Sequence, residues 1–316
     1  MSDAAAIRRA IEKGVAFLES AQLPSGEIPI EIAPDAEMSG GCDRQPCVFP
    51  AAVAARALSI APSAARIRSR ALDFLEREMS PDGLWRHPSR EYPEHRDTPL
   101  DLDDTSIASA ALEAAGRPVP NNRPILLAHR GRGGLFRTWI VRPWRHPIRT
   151  WRFFFFRRIA EMADVDAVVN ANVVLYLGDR AETRPAIEHM LAVLRANREM
   201  ASTIWYGSPF IVWYFFSQAL HELAPVAGEM IVPRVEAARP INALELALTS
   251  STLLLWKRVP DVTPLIDAQL PSGAWPRAGF YHVGRRRNDA QPKPPWWGSE
   301  ALTTVFAIEA LSRRIA

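Results

Sequence analysis

The stretch AQLPSGAWPRAGF, residues 268–280, turns at Pro271 and Ser272, continues through Gly273 and reaches Trp275. The same phrase opens AQLPSGEIP at residues 21–29, and MSPDGLWRHP at residues 79–88 varies it around Gly83. Pro and Ser turn a chain, glycine takes backbone conformations that other residues resist, and an aromatic placed after it folds back to pin the turn to the preceding helix. Each copy is therefore a helix stop, and three copies make an internal repeat. Gly26 and Gly83 are 57 residues apart, about one outer and one inner helix. Six such pairs use the 316-residue chain. The expected fold is all-α, an (α/α)6 barrel of six outer and six inner helices, with residues 1–316 forming a single domain.

Apolar spacing of three and four recurs between these stops, and alternating strand-like runs are scarce. Ile7, Ile11, Val15 and Leu18 fall on one stripe, as do Ile67, Ala71, Phe74 and Leu75, so both segments read as outer helices with one buried face. Segments near 48–59, 104–115, 166–178, 208–221, 241–256 and 299–312 are apolar over most of their circumference, as helices covered on two sides are. Residues 200–220, MASTIWYGSPFIVWYFFSQAL, carry no charge, but Gly207, Ser208, Pro209 and Gln218 argue against a membrane span and for a buried helix.

Composition narrows the partners. Lys and Arg number 38 against 35 Asp and Glu, a net charge of +3 that argues for no nucleic-acid partner. Cys42 and Cys47 are the chain's two cysteines, and GCDRQPC lacks the further ligands of a zinc site. No metal and no cofactor is expected, and the thiols read as reduced in a cytosolic protein. The start, MSDAAAIRRAIEKG, does not have the pattern of a signal peptide.

The chemistry concentrates in TPLDLDDTSIASAALEAAG, residues 98–116, where Asp101, Asp103 and Asp104 precede an apolar helix. Asp104, Thr105 and Ser106 are all good cap residues, so an acid-rich N-cap is the plain alternative. Three carboxyls in four positions repel one another, however, and that favours a retained proton. Backbone N–H groups at a helix start stabilise the conjugate base, which strengthens the acid. A protonated aspartate facing an apolar pocket is what protonation of an alkene requires.

DLDD resembles the Asp-x-Asp-Asp motif of class II terpene cyclases, the group that includes squalene-hopene cyclase, and the glycine-and-tryptophan phrases resemble that group's QW repeats. The first phrase departs from them, with Glu27 and Ile28 where an aromatic is usual. GLFRTW, VVNANVVLYLG, WYGSPF and PPWWGSEALTTVFAIEAL also read like members of the group, so the resemblance covers most of the chain. With one barrel, the chain looks most like the single-domain cyclases of the merosterolic acid synthase type, which act on prenylated aromatic acids. The resemblance implies that Asp103 donates the proton while Asp101 and Asp104 hold it and tune its strength. Hopene-type cyclases pair the acid with a His four residues after an Asp; here DAVVNANV offers Asp166 and Asn170 at that spacing, and the amide is expected to donate to Asp103.

Cyclisation makes carbocations, which aromatic faces stabilise without reacting. The candidates to line the pocket are Phe136 and Trp139 of GLFRTW, Tyr206, Phe210, Trp213, Tyr281, Trp296 and Trp297. Residues 129–158 hold nine Arg and eight aromatics with no acid. They read as a lid over an anionic head or as a peripheral docking surface on the inner membrane face, with a solvated insertion as the plain alternative. The partner expected is a lipophilic isoprenoid substrate. Two other classes are weaker: a non-catalytic prenyl- or protein-binding barrel has no use for three clustered acids, and a sugar-cleaving barrel wants separated carboxylates in a polar cleft. An Asp-Asp-x-x-Asp motif is absent, which disfavours metal-triggered loss of diphosphate.

Overall fold

The computed structural model describes residues 4–141, 148, 152–156, 161–282 and 295–316. Among the described residues the chain is mostly helical, with two small sheets. The α-helices with described bounds are α1 (Ala4–Ala21), α2 (Phe49–Ala57), α3 (Ala65–Glu78), α4 (Leu102–Ala114), α5 (Arg123–Ala128), α6 (Ala167–Leu177), α7 (Arg184–Arg195), α8 (Glu199–Ser202), α9 (Pro209–Leu220), α10 (Val226–Ala237), α11 (Ala243–Leu255), α12 (Thr263–Asp267) and α13 (Glu300–Ile315).

Periodicity decides which helix packs where. The stripe Ile7, Ile11, Val15 and Leu18 is the buried face of α1, and Ile67, Ala71, Phe74 and Leu75 belong to that of α3. Six helices have no such one-sided stripe. All residues of α9 from Phe210 to Leu220 are buried, as are residues 301–312 of α13 and all of α6 except Leu175. These six are the segments whose apolar circumference marks them in the sequence, and their packing runs α2 on α4, α4 on α6, α6 on α9, α9 on α11, α11 on α13, and α13 back on α2. The amphipathic helices pack outside this cycle, α1 on α13, α3 on α2, α7 on α6 and α10 on α9 and α11. Each fully buried Leu, Ile, Val or Phe contributes about 1.5–3 kcal/mol relative to exposure.

Some polar groups on the buried helices are paired between helices. Near the C-terminal ends of α9 and α13, the Tyr214 hydroxyl donates to Glu309 at 2.8 Å, Gln218 donates to it at 3.3 Å and Arg313 at 2.8 Å. The uncharged run 200–220 is split by an irregular segment between α8 and α9, and no helix among the described residues is long and apolar enough to cross a membrane.

The repeated phrase forms the same turn each time. The N–H of Gly26, Gly83 and Gly273 donates to the carbonyl three residues earlier at 2.8–2.9 Å. The indole N–H of Trp85 reaches back to the carbonyl of Leu75 at 2.8 Å, and that of Trp275 to Leu265 at 2.6 Å. Their backbone N–H groups donate forward, Trp85 to Thr105 Oγ1 of α4 at 3.1 Å and Trp275 to Thr304 Oγ1 of α13 at 3.0 Å. The Trp85 and Trp275 turns thus tie the end of one helix to the first turns of α4 and α13.

The two sheets flank the starts of those inner helices. β3 (Trp85–Arg86), β4 (Leu100–Asp101) and β5 (Trp139–Ile140) form one, with Trp85, Asp101 and Trp139 in register. The other has the order β2 (Asp43–Arg44), β1 (Glu31–Ala33), β7 (Trp296–Gly298), β6 (Tyr281–His282) and is antiparallel throughout. β4 runs straight into α4, and this join carries the acid cluster.

Candidate active site

Asp101 is the last residue of β4 and the N-cap of α4; its Oδ1 accepts from the backbone N–H of Asp103 at 2.7 Å and of Asp104 at 3.2 Å. Of the cap candidates Asp104, Thr105 and Ser106, none is the N-cap of α4. Thr105 accepts from Trp85 of the preceding turn, and Ser106 donates back to the Leu102 carbonyl at 2.7 Å, because the extended backbone of Asp101 alone has the cap conformation. Capping by Asp101 fixes the two aspartates that follow in the first helical turn, where the helix dipole favours negative charge.

All three carboxyls are buried, Asp103 at 6% exposure. Asp103 Oδ1 accepts from the Asn172 amide at 2.6 Å, and Oδ2 accepts from the Tyr206 hydroxyl. Burial pushes its pKa from the ordinary 3.8 up to about 7, the two donors opposing the rise and the Asp104 charge adding to it. Burial and then its two charged neighbours raise Asp101 well above the carboxylate range. Tyr206 is raised well above the usual phenol value by burial and by Asp103, so it stays a donor. Asp104 Oδ2 lies 3.1 Å from His87 Nδ1. Burial opposes a proton on His87, but the acidic groups of Cys47 and Asp104 outweigh it and raise that pKa well above the usual imidazole value. The far ring nitrogen, His87 Nε2, is 3.0 Å from the Tyr281 hydroxyl and 3.4 Å from Cys47 Sγ.

The three carboxyls open onto a mainly apolar cavity of about 230 Å³. Its wall is built at the starts of five inner helices: Phe49 of α2, the aspartates of α4, Val169 of α6, Tyr206 just before α9, and Trp297 just before α13. Trp139, Phe153, Trp205 and Tyr281 complete the aromatic lining. Trp139 meets Phe153 at 5.1 Å and Trp205 at 5.6 Å edge-on, and Trp297 stacks on Tyr281 at 5.4 Å. Of the pocket residues expected from the sequence, Trp139, Tyr206, Tyr281 and Trp297 line it.

Four do not. The Phe136 ring is fully buried in the core. Phe210 and Trp213 meet at 5.3 Å on the face of α9 where the Trp213 indole donates to Glu199 of α8 at 3.0 Å, away from the cavity. Trp296 lies over Gly207 and Gly279 with its ring 4.7 Å from His282; an added Cβ at Gly279 would sit 2.7 Å from that indole. A residue's partner across the chain, and not its helical spacing, decides these positions.

The largest correction concerns Asn170. Its Oδ1 accepts from the Phe136 N–H at 2.9 Å, and its Nδ2 donates to the carbonyls of Phe136 at 3.0 Å and Asp166 at 2.8 Å, so it makes no bond to Asp103. Asn172 makes that bond. Two residues along a helix is a rotation of about 200°, so Asn170 and Asn172 point to nearly opposite sides of α6, and the second faces α4. Asp166 likewise does not pair with the acid; it caps α6 through Oδ1, accepting from Val168 at 2.8 Å. Its Oδ2 accepts from Thr203 Oγ1 at 2.8 Å and from the N–H groups of Ile204 at 2.5 Å and Trp205 at 3.2 Å. Asp166 therefore fixes the loop that presents Tyr206.

Sequence reasoning missed Asn172, His87, Phe49 and Trp205. The doubled NAN of residues 170–172 was a signal for the first, and the place of His87 two residues after the turn tryptophan Trp85 for the second. Of the basic segment 129–158, Trp139, Phe153 and Phe154 form a small apolar cluster, while residues 142–147, 149–151 and 157–160, with five of its arginines, lie outside the described residues. Among the described residues no group of three or more His, Cys, Asp and Glu side chains is placed to hold a metal ion.

No protein-family model matches the chain, and no curated protein matches it in sequence. Solved structures do. The fold is similar to that of a protein from Actinoplanes, with 18% identity and a TM-score of 0.72 over 98% of this chain and 100% of that one. It is also similar to the type II terpene cyclase MstE from Scytonema, with 16% identity and a TM-score of 0.71 over 98% of this chain and 99% of that one. A variant of MstE in complex with its substrate, geranylgeranyl dihydroxybenzoate, aligns at 16% identity and a TM-score of 0.71 over 98% of each chain. At these identities the likeness is one of fold.

Proposed function

We propose that the chain is a single-domain (α/α)6 barrel and a class II terpene cyclase, in which Asp103 protonates a prenyl chain and starts ring closure. The unbroken cycle of packed inner helices and the whole-length likeness to MstE support the barrel. The observation that carries the activity is Asp103 itself: a carboxyl that holds its proton up to about pH 7, with a donor on each oxygen, in the wall of an apolar aromatic cavity.

The roles follow from this geometry. Asp103 gives its proton to the terminal alkene or epoxide, and its new charge is met at once by the Asn172 amide and the Tyr206 hydroxyl. Hydrogen bonds to a charged group contribute about 1.5–3 kcal/mol each, and they act most strongly on the ionised product of the step. The positive charge moves along the chain as π-electrons close successive rings, past the faces of Phe49, Trp139, Trp205, Tyr281 and Trp297. Cation–π attraction of about 2 kcal/mol in a dry site stabilises those intermediates, and the rings add no base that would end the cascade early. Asp101 orients the acid through the helix start, and Asp166 orients Tyr206 through its loop. The reaction consumes no cofactor in this scheme.

MstE has been solved with geranylgeranyl dihydroxybenzoate and, in another variant, with merosterolic acid A as product. On that parallel the substrate class is a prenylated aromatic acid. The test is to incubate purified protein with farnesylated and geranylgeranylated dihydroxybenzoic acids, with the matching prenyl diphosphates and with squalene, and to analyse products by mass and NMR. A product isomeric with its substrate but with fewer double bonds is expected, and Asp103→Asn is expected to abolish it while keeping the helical circular-dichroism signal. An active Asp103→Asn protein would refute the assignment.

A further inference from the structure

The far ends of the inner helices carry a second polar cluster, about 15 Å along α4 from the acids at its start. A hollow of about 80 Å³ lies there between the C-terminal parts of α2, α4 and α13 and the side chains of Tyr214 and Gln218 of α9. Three guanidinium groups line it, Arg56, Arg68 and Arg313, against one carboxylate, Glu309. Glu309 is already engaged, with Oε2 accepting from Tyr214 and Oε1 from Gln218 and Arg313. Arg56 donates to the neutral amide of Gln218 at 3.1 Å, and Arg68 Nε donates to the Ala55 carbonyl at 2.9 Å. Among the described residues neither of these two arginines forms an ion pair, although Arg313 does. Burial lowers the Arg56 pKa from its ordinary value, with Tyr214 and Glu309 opposing; in Arg313 burial is outweighed by Glu309 and the value rises.

The hollow therefore faces an excess of two positive charges, and a partly buried cation without a counter-charge is costly. Carbonyls at the ends of α2 and α13 favour nearby cations, which is the plain alternative reading of these arginines. A cation that serves only a helix end can stay in water, however, whereas Arg56 is drawn into the hollow to meet an amide. Guanidinium groups match the oxygens of a phosphoryl group two at a time, and a doubly charged anion would neutralise the excess. One water needs roughly 10–15 Å³ of such space, so the hollow admits a tetrahedral oxyanion. A neighbouring hollow of about 250 Å³ shares Arg68 and Ser59 with it and is edged by the exposed Ser59 and Ser69. Its own Arg117 is already held by Asp73 and Glu76, at 2.6 and 2.9 Å. The inner hollow thus supplies the charge, and the outer one gives room for whatever the phosphoryl group is attached to.

We propose that the inner hollow is a binding site for a phosphoryl dianion, free or carried by a small organic phosphate, held by Arg56, Arg68 and Arg313. Bound there, the anion ties α2 and α3 to α13 at the end of the barrel away from the acid cluster. The site goes beyond the cyclase reading, and its test needs neither substrate nor turnover.

The experiment is titration calorimetry and thermal unfolding at pH 8 and constant ionic strength, with inorganic phosphate, inorganic diphosphate and phenyl phosphate as probes. Wild type is compared with Arg56→Gln, Arg68→Gln and, as a control, Arg8→Gln on the exposed face of α1. Saturable binding at one site per chain is expected, with a melting temperature raised by a few degrees at a hundred times Kd. Arg56→Gln and Arg68→Gln should each weaken binding at least about tenfold, and Arg8→Gln should leave it unchanged. Without anion, Arg56→Gln should melt no lower than wild type, since it removes a charge that nothing offsets. Tighter binding of diphosphate or phenyl phosphate than of phosphate identifies an organic phosphate or diphosphate as the source, and equal binding identifies the free ion. A rise in melting temperature shared equally by wild type and Arg56→Gln is a general salt effect and overturns the site, as does no binding at all. Arg56→Gln that melts several degrees lower without anion assigns the arginine to the helix end and overturns it too. If Arg56→Gln does not fold, Arg68→Gln on the outer helix α3 decides by its binding alone.

Discussion

Replacing Asp103 with Asn should abolish activity and stabilise the protein. In the folded chain burial holds the Asp103 pKa at about 7, against 3.8 for the ordinary group. Between those values the folded state keeps a proton that the unfolded chain has lost, so stability falls as pH rises through this window and levels off above about 7. At about 1.4 kcal/mol for each pKa unit, the full effect is about 4 kcal/mol. The substituted side chain does not ionise, and its amide can still accept from Asn172 and donate to the Tyr206 oxygen, so the hydrogen bonds survive. Urea unfolding followed by circular dichroism at several pH values would measure it. The variant's advantage should reach about 2 kcal/mol at pH 5 and about 4 kcal/mol at pH 8. The growth with pH is the signature, since a packing change alone would offset the curves by a constant. Parallel curves for wild type and variant would refute the claim that Asp103 is held as an acid.

Asn172→Ala should lower kcat about 10- to 100-fold by removing a donor to the Asp103 carboxylate, with little effect on the melting temperature. Asn170→Ala should do the reverse, costing about 1–3 kcal/mol in urea unfolding because the buried N–H and carbonyl of Phe136 lose their partner; equal kinetic effects from the two would contradict their placement on opposite sides of α6. The wild-type rate should fall as pH rises through about 7, where Asp103 ionises. Tyr206→Phe removes a bond that lowers that pKa, so the alkaline limb of its pH–rate profile should move upward while the maximal rate drops. Gly273→Ala should destabilise by roughly 2–4 kcal/mol, since φ is +88° and an added Cβ would fall on the Lys13 carbonyl. Gly116→Ala, at φ +70° with open space around it, isolates the backbone share at about 1 kcal/mol.

Much of the helical layout was legible because its causes are local. Apolar residues all around a segment, as in residues 208–221, can be accommodated only between two layers, and α9 lies there. Gly, a turn and a following aromatic write a helix stop in a few residues, and the three copies fold alike. The acid cluster was legible for the same reason, since Asp101 caps the helix that presents Asp103 within its own turn. Spacing failed where a side chain had to choose between partners far away in sequence. Asp166 and Asn170 do share a helical face, but that face meets the Phe136 backbone, and α4 lies on the other side of α6. Trp213 has the chemistry of a cavity wall, yet its indole N–H found Glu199.

The sequence by itself determined that this chain makes helices of two kinds, where they stop, and which aspartate stands between its two neighbours at the start of α4. Those are properties of periods and turns, set within about four residues of each position. Tertiary structure alone decided what surrounds that aspartate. Asn172 arrives from 69 residues away, Tyr206 from 103, and His87 faces Asp104 across 17. Burial between such distant segments lifts Asp103 from a common carboxylate to an acid that keeps its proton, because desolvation depends on everything packed around a group and not on its neighbours in the chain.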